Sequence, residues 1–110
     1  MDNLSKVYKK SESIIEREIE GEMILIPMLS DTVDLEKGLF LTLNETAKEI
    51  WRRIDGKRKV LDIVEDLESI YEADKDDLML DVVGLFEELI EREMVLEVGI
   101  ERIETIYDGK

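Results

Sequence analysis

The segment that decides the fold runs from Leu39 to Gly56 and reads LFLTLNETAKEIWRRIDG. Its first five residues, Leu39-Phe40-Leu41-Thr42-Leu43, carry large apolar groups on both faces and predict a strand that needs cover on both sides. Asn44 follows as a candidate helix N-cap. Behind it, apolar residues recur at helical spacing at Ala47, Ile50, Trp51 and Ile54. The segment therefore predicts a strand that leads directly into a helix, which ends at Asp55-Gly56.

Two shorter apolar runs precede this segment. Ile14 to Ile19 and Met23 to Pro27 are joined at Glu20-Gly21, a spacing that favours a β-hairpin. Because proline has no N–H to donate, we expect Pro27 to end the second strand or to lie at an edge. The polar connection from Pro27 to Gly38 leaves the register of the third strand undetermined.

Two more helices follow the first. Apolar residues from Val60 to Tyr71 keep helical spacing and predict a second helix that closes near Glu72. Asp74 is the expected N-cap of a third helix, and Met94 to Val98 is a candidate terminal strand. Strands followed by segregated helices predict an α+β, winged helix-turn-helix-like fold, with a three-stranded antiparallel sheet packed on three helices.

The domain organisation follows from composition along the chain. The polar segment 1–11 is interpreted as a flexible N-terminal arm, 12–98 as the folded domain, and 99–110 as a polar C-terminal tail. No run reaches the roughly 18 apolar residues that a membrane span requires, and the first residues lack the apolar stretch of a secretory signal. We therefore expect a cytoplasmic protein without a membrane partner.

The third helix carries more apolar side chains than one-sided packing needs. Its core stripe is Leu78, Val82, Leu85 and Leu89. A second stripe beside it consists of Met79, Val83, Phe86 and Ile90. Together they span about 160°, where roughly 100° suffices. Either the third strand or the terminal segment covers the second stripe, or this stripe and a free edge of the third strand form a slot for an extended peptide.

Composition excludes most catalytic and metal chemistry. The chain has 110 residues with no Cys and no His, which removes thiolate nucleophiles, the usual general base and the commonest ligands of transition metals. We expect no enzyme activity, no cofactor and no metal. The net charge is −14, and residues 60–98 hold 14 acidic but only 2 basic side chains. Such a surface repels phosphate backbones, so we expect no nucleic-acid partner.

At these residues the chain resembles the PqqD-like family, named for the peptide chaperone of pyrroloquinoline quinone (PQQ) biosynthesis and also called precursor-peptide recognition elements. The resemblance covers about 16–98. It is carried by the strand that enters Leu43-Asn44-Glu45-Thr46-Ala47, by Ile50-Trp51, by Asp55-Gly56, by Val60-x-x-Ile63-Val64-x-x-Leu67, and by Asp81-Val82 through Phe86-x-x-Leu89 to Met94-Val95.

The resemblance implies a non-catalytic peptide chaperone. The leader of a ribosomal precursor peptide would add a strand along Leu39 to Leu43 and contact the third helix, and the domain would present it to a radical S-adenosylmethionine (SAM) enzyme or another peptide-modifying enzyme. The contacts expected on the third helix are Met79, Val83, Phe86 and Ile90. Glu93 stands where the family often has Gly, so we expect the third helix to run on there.

Two other functions stay open at this point. Winged helices often place their third helix in the major groove of DNA, although the acidic third helix argues against it. An apolar stripe beside an edge strand also allows pairing with a second copy, which would make the chain a homodimeric adaptor.

Overall fold

The structure is a computed structural model that describes residues 3–29, 32–33 and 40–99. After a 3-10 turn at Asn3–Ser5, the strands are β1 (Tyr8–Lys10), β2 (Ile14–Ile19), β3 (Glu22–Leu29), β4 (Thr32–Val33) and β5 (Leu41–Leu43). The helices α1 (Glu45–Arg52), α2 (Val60–Ile70) and α3 (Lys75–Glu91) follow, and strand β6 (Val95–Glu97) comes after them. The predicted α+β fold with three helices is confirmed. β2, β3 and β5 form the predicted three-stranded antiparallel sheet, the short β4 pairs with the end of β3, and β1 and β6 form a separate two-stranded sheet.

β2 and β3 form the predicted hairpin. Its two turn residues, Glu20 and Gly21, both have positive φ angles, of 52° and 87°. This is the conformation of a turn that matches the twist of an antiparallel pair, and it closes the register at Ile19 opposite Glu22. The side chain of Lys48 on α1 donates to the carbonyl of Gly21 at 2.6 Å and so fixes the turn on the helix.

Pro27 does not end its strand. β3 continues to Leu29, with Pro27 opposite Ile14 on β2. The N–H of the next residue, Met28, donates to the carbonyl of Ser13 at 2.8 Å. Because hydrogen-bonded positions alternate along an antiparallel ladder, the nitrogen of Pro27 faces away from β2 and no bond of the hairpin is lost. On that other side, β5 pairs only as far as Leu25 and β4 pairs only from Met28, so Pro27 has no partner among the described residues there, as expected of a proline at an edge.

The helices begin at their predicted caps. The Asn44 side chain accepts from the N–H of Ala47 at 2.8 Å at the start of α1, and the Asp74 side chain accepts from Asp76 at 3.0 Å at the start of α3. The expectation that α3 runs on through Glu93 is wrong. Glu93 has a φ of 59°, and the N–H of Met94 donates back to the carbonyl of Leu89 at 2.9 Å. This left-handed closure does not need a glycine here, and it turns the chain into β6.

The core lies between one face of the sheet and the three helices. Its largest fully buried side chains include Trp51, Phe86, Leu25, Leu43, Ile50 and Ile63. Trp51 also satisfies its indole N–H, which donates to the Glu16 carboxylate at 2.8 Å. Each of these side chains contributes roughly 1.5–3 kcal/mol of transfer free energy when it leaves water. The strand predicted to need cover on both faces has its Leu43 in this core, whereas Thr42 on the opposite face is exposed.

Residues 3–11 do not form the loose arm that composition suggested. β1 pairs with β6, with Tyr8 opposite Glu97, and the N–H of Ser11 donates to the carbonyl of Met94. Tyr8 is buried, and its ring contacts the ring of Phe86. Burial is the main cause that raises the pKa of its phenol, and the nearby Glu97 carboxylate raises this pKa further. Burial of the Tyr8 ring thus holds this segment on the domain, although the segment also contains three lysines. The predicted tail beyond Gly99 lies outside the described residues.

Candidate functional site

The outer edge of β5 carries free backbone groups. Met23 lies opposite Leu43, Ile24 opposite Thr42 and Leu25 opposite Leu41. The bond from Met28 to Ser13 directs the N–H groups of the even-numbered residues of β3 toward β2. The odd-numbered residues therefore bond β5 through Leu41 and Leu43. It follows that the N–H and carbonyl of Thr42 point away from β3, and no described strand pairs with them.

A cavity of about 330 Å³ begins where β5 ends. One wall comes from the start of α1, with Asn44, Thr46, Ala47 and Ile50. The other wall comes from the middle of α3, with Leu80, Asp81, Gly84, Leu85 and Glu88. Asn44 directly follows the last residue of β5, so the strand with the free edge leads straight into one wall of the cavity.

This cavity and the predicted contacts lie on opposite flanks of α3. Asp81 and Val83 each stand about 100° around the helix from the buried Val82, in opposite directions. We call the side with Asp81, Gly84, Leu85 and Glu88 the cavity flank. The side with Met79, Val83 and Ile90 is the apolar flank.

Of the four predicted helix contacts, none lines the cavity. Phe86 is 1% exposed and belongs to the core, where it contacts Tyr8, so it is not the wall of an open groove. Met79 packs partly against the core, Val83 is half-buried, and Ile90 is 37% exposed.

Of the five predicted strand residues, Leu43 is buried and Leu41 packs against the core. Their side chains face the helices, whereas Thr42 and Phe40 are exposed. Leu39 lies outside the described residues. The side-chain and backbone positions open to a partner are therefore Phe40 and Thr42.

Gly84 is one of the cavity-wall residues that sequence reasoning missed. It sits inside α3, where glycine costs roughly 0.8–1 kcal/mol relative to alanine. A Cβ added there would meet no heavy atom of the surrounding structure within 4 Å, so packing inside the domain does not require the glycine. An isolated glycine in a helical pattern is the signal that could have pointed to this wall.

Basic residues near the end of α1 are engaged with carboxylates. Arg53 bonds Glu49 at 2.7 Å, and Arg58 bonds Asp66 at 3.1 Å. The hydrogen bond from Arg53 is the main cause that lowers the pKa of Glu49. Backbone N–H groups of Arg58 and Lys57 lower the pKa of Asp55. These arginines are thus paired with carboxylates of the same domain.

Two further properties concern metals and membranes. Within residues 3–29, 32–33 and 40–99, no group of three or more carboxylate, His or Cys side chains is arranged to hold a metal ion. In the same part of the chain, every helix is too short or too polar to cross a membrane.

Fold and surface together define the class: a small winged-helix-like α+β domain with a free strand edge beside a cavity. The family of coenzyme PQQ synthesis protein D (PqqD) matches residues 32–95, more than half of the chain, and the chain belongs to this family. The resemblance seen in the sequence is thereby confirmed. No curated protein matches the chain.

Two solved structures are similar over most of their length. Lasso peptide synthetase B1 complexed with the leader peptide aligns with a TM-score of 0.63 and 26% identity, over 81% of this chain and 96% of that chain. TbiB1 in complex with the TbiA(beta) leader peptide aligns with a TM-score of 0.62 and 20% identity, over 79% and 93%. The second likeness supports the fold alone.

Proposed function

We propose that this chain binds the leader segment of a ribosomally made precursor peptide as an added strand along β5, and presents it to a separate modifying enzyme. The observation that carries the proposal is the outward-facing backbone of Thr42, in a strand that leads straight into a wall of the cavity. An extended peptide at this edge would bond Thr42 and place every second side chain toward α3. The leader peptide bound to the similar lasso peptide synthetase B1 supports this ligand class.

The surface of α3 offers the side-chain half of this recognition. Leu80 on the cavity rim is 72% exposed, which makes it the most exposed large apolar residue of the described chain. Ala47 and Leu85 are half-buried on the cavity walls. A peptide side chain seated there would shield apolar surface that now faces water. Main-chain bonds along β5 would supply affinity, and the cavity would select the side chain.

The domain itself performs no chemistry in this proposal. Without Cys or His, it would have to rely on carboxylates, and within the described residues these are exposed or paired with lysine or arginine. The bound leader would instead be delivered to a radical SAM protein or another peptide-modifying enzyme. Membership of the PqqD family supports a role in such a pathway, because this family is named for a protein of coenzyme PQQ synthesis.

Paired proline substitutions test the strand addition. Leu41→Pro removes an N–H that faces β3, so we expect it to unfold the sheet. Thr42→Pro removes the outward N–H, so the fold should persist while affinity for the peptide drops at least about tenfold. Thr42→Val keeps the backbone N–H and a similar shape, and it serves as the matched control. The ligand is a peptide selected against the full chain from a displayed library of random sequences.

Amide chemical shifts of the labelled chain provide the second readout. Addition of the selected peptide should shift Phe40 to Leu43 and Asp81 to Glu88. Shifts confined to Arg52 to Lys59 would contradict the proposal, as would unchanged binding by folded Thr42→Pro.

A further inference from the structure

We infer that the cavity between α1 and α3 takes a lysine or arginine side chain of the bound peptide. This inference rests on the proposed function and names the chemistry that the site selects. The alkyl stem of the side chain would lie on the apolar walls, and its charged end would lie between Asp81 and Glu88.

The cavity is lined by apolar side chains together with polar and charged ones. Ala47, Ile50 and Leu85 line it from both helices. Ile50 is fully buried, so its methyl groups close the bottom of the cavity. Lysine and arginine bury their alkyl stems on such surfaces while the charged end stays near water. An open cavity of about 330 Å³ therefore has room for a long side chain that remains hydrated at its end.

Asp81 and Glu88 bracket the gap above Gly84. Asp81 stands three residues before Gly84 and Glu88 four residues after it, and residues at these separations are neighbours on a helix surface. A cation above Gly84 would thus lie within one helical turn of both carboxylates. The missing side chain at Gly84 leaves this space open, because a Cβ there would meet nothing within 4 Å.

The two carboxylates differ in their present partners. Glu88 bonds Arg92 at 3.1 Å, on the side away from Gly84 along the helix. Asp81 forms no ion pair with a described lysine or arginine. An apolar side chain in the cavity would displace water from the Asp81 carboxylate and offer no hydrogen bond in its place, which costs free energy. A lysine or arginine would replace that water with a charged hydrogen bond. The net charge of −14 also favours a basic ligand, since it attracts basic peptides to the domain.

Selection from a displayed library of random peptides tests the inference on the full chain. The wild-type chain should enrich peptides with Lys or Arg at one fixed position relative to the segment that pairs with β5. The double variant Asp81→Asn, Glu88→Gln should lose enrichment at that position. The matched control Glu87→Gln, Glu91→Gln removes two charges from exposed positions of α3 outside the cavity and should keep the enrichment.

Affinities of one selected peptide complete the test. Replacing its basic residue by Met should weaken binding to the wild-type chain about tenfold, and should have little effect on the cavity double variant. Enrichment of an apolar residue at that position would overturn the inference and leave the proposed function standing. So would equal losses in the cavity and control variants, which would indicate bulk charge attraction alone. If no peptide is enriched, the proposed function fails and the inference fails with it.

Discussion

The two flanks of α3 differ in what they offer a partner. The apolar flank, with Met79, Val83 and Ile90, has the hydrophobic residues that helical periodicity indicates as a binding surface. However, Met79 packs against the core and Val83 is half-buried. The cavity flank has two acids and a glycine, yet it borders the open space beside β5. A surplus of apolar residues on a helix therefore marks packing at least as readily as it marks a binding groove. Substitutions on α3 distinguish peptide binding at the cavity flank from peptide binding at the apolar flank.

The largest effect is expected at Phe86, between the apolar flank and the core. Because Phe86 is buried against Tyr8, Phe86→Ala should lower the free energy of unfolding by about 3–5 kcal/mol. Chemical denaturation followed by circular dichroism measures this loss. If this variant keeps wild-type stability but loses peptide binding, Phe86 lines the binding groove and does not belong to the core.

Gly84→Leu should affect binding most strongly among variants that keep the fold. The new side chain would point into open space and occupy the cavity, so peptide affinity should fall at least about tenfold. Glu87→Leu adds the same side chain to an exposed position of α3 that does not line the cavity, and it should bind within about twofold of wild type. Titration calorimetry with a selected peptide compares the two. Unchanged binding by folded Gly84→Leu would place the peptide elsewhere.

Val83→Asp tests the apolar flank in the same assay. A carboxylate at this half-buried position should lower stability by about 1–2 kcal/mol, while peptide affinity changes less than about twofold. If affinity instead falls tenfold or more while Gly84→Leu binds normally, the flank indicated by the sequence is the binding surface.

Gly84→Ala should produce the smallest effect, with opposite signs in two measurements. A helical alanine should raise the free energy of unfolding by up to about 1 kcal/mol. The added methyl group narrows the cavity, so peptide affinity should decrease by roughly two- to fivefold. Thermal unfolding and calorimetry on the same sample detect both changes. Loss of stability in this variant would show that the glycine serves the fold and not the ligand.

Local rules explain which parts of the fold could be predicted from sequence. The turn at Glu20-Gly21, the caps Asn44 and Asp74, and the three helices depend on neighbouring residues, and they were located from residue type and spacing. Residues 3–11 were misinterpreted because β1 is held by β6, a partner more than 80 positions away in the chain. Glu93 was judged by residue preference, and the left-handed closure of α3 overrode that preference. Pro27 does not end β3, but it takes the edge position that was its other expected place.

The candidate site was only partly predictable. The strand that leads into Asn44 was found, and its register on β3 then showed that Thr42 carries the outward N–H. The cavity wall was not found, because Asp81, Gly84 and Glu88 have no hydrophobic signature. Helical periodicity gives the angle between side chains, but not which side of α3 faces α1.

The pairing of β1 with β6 also determines how the domain responds to tension. Tyr8 lies opposite Glu97 and Lys10 opposite Val95, so both ends of the described chain leave from the same end of this ladder. A pulling force applied to the two ends would first load the bonds that lie outside this ladder, from Val98 to Val7 and from Val60 to Lys6. It would then open the strands like a zipper, one pair after another, instead of shearing all pairs together. The terminal strands are thus a mechanically soft attachment point, and they can be peeled from the core before the sheet that carries β5 bears any load.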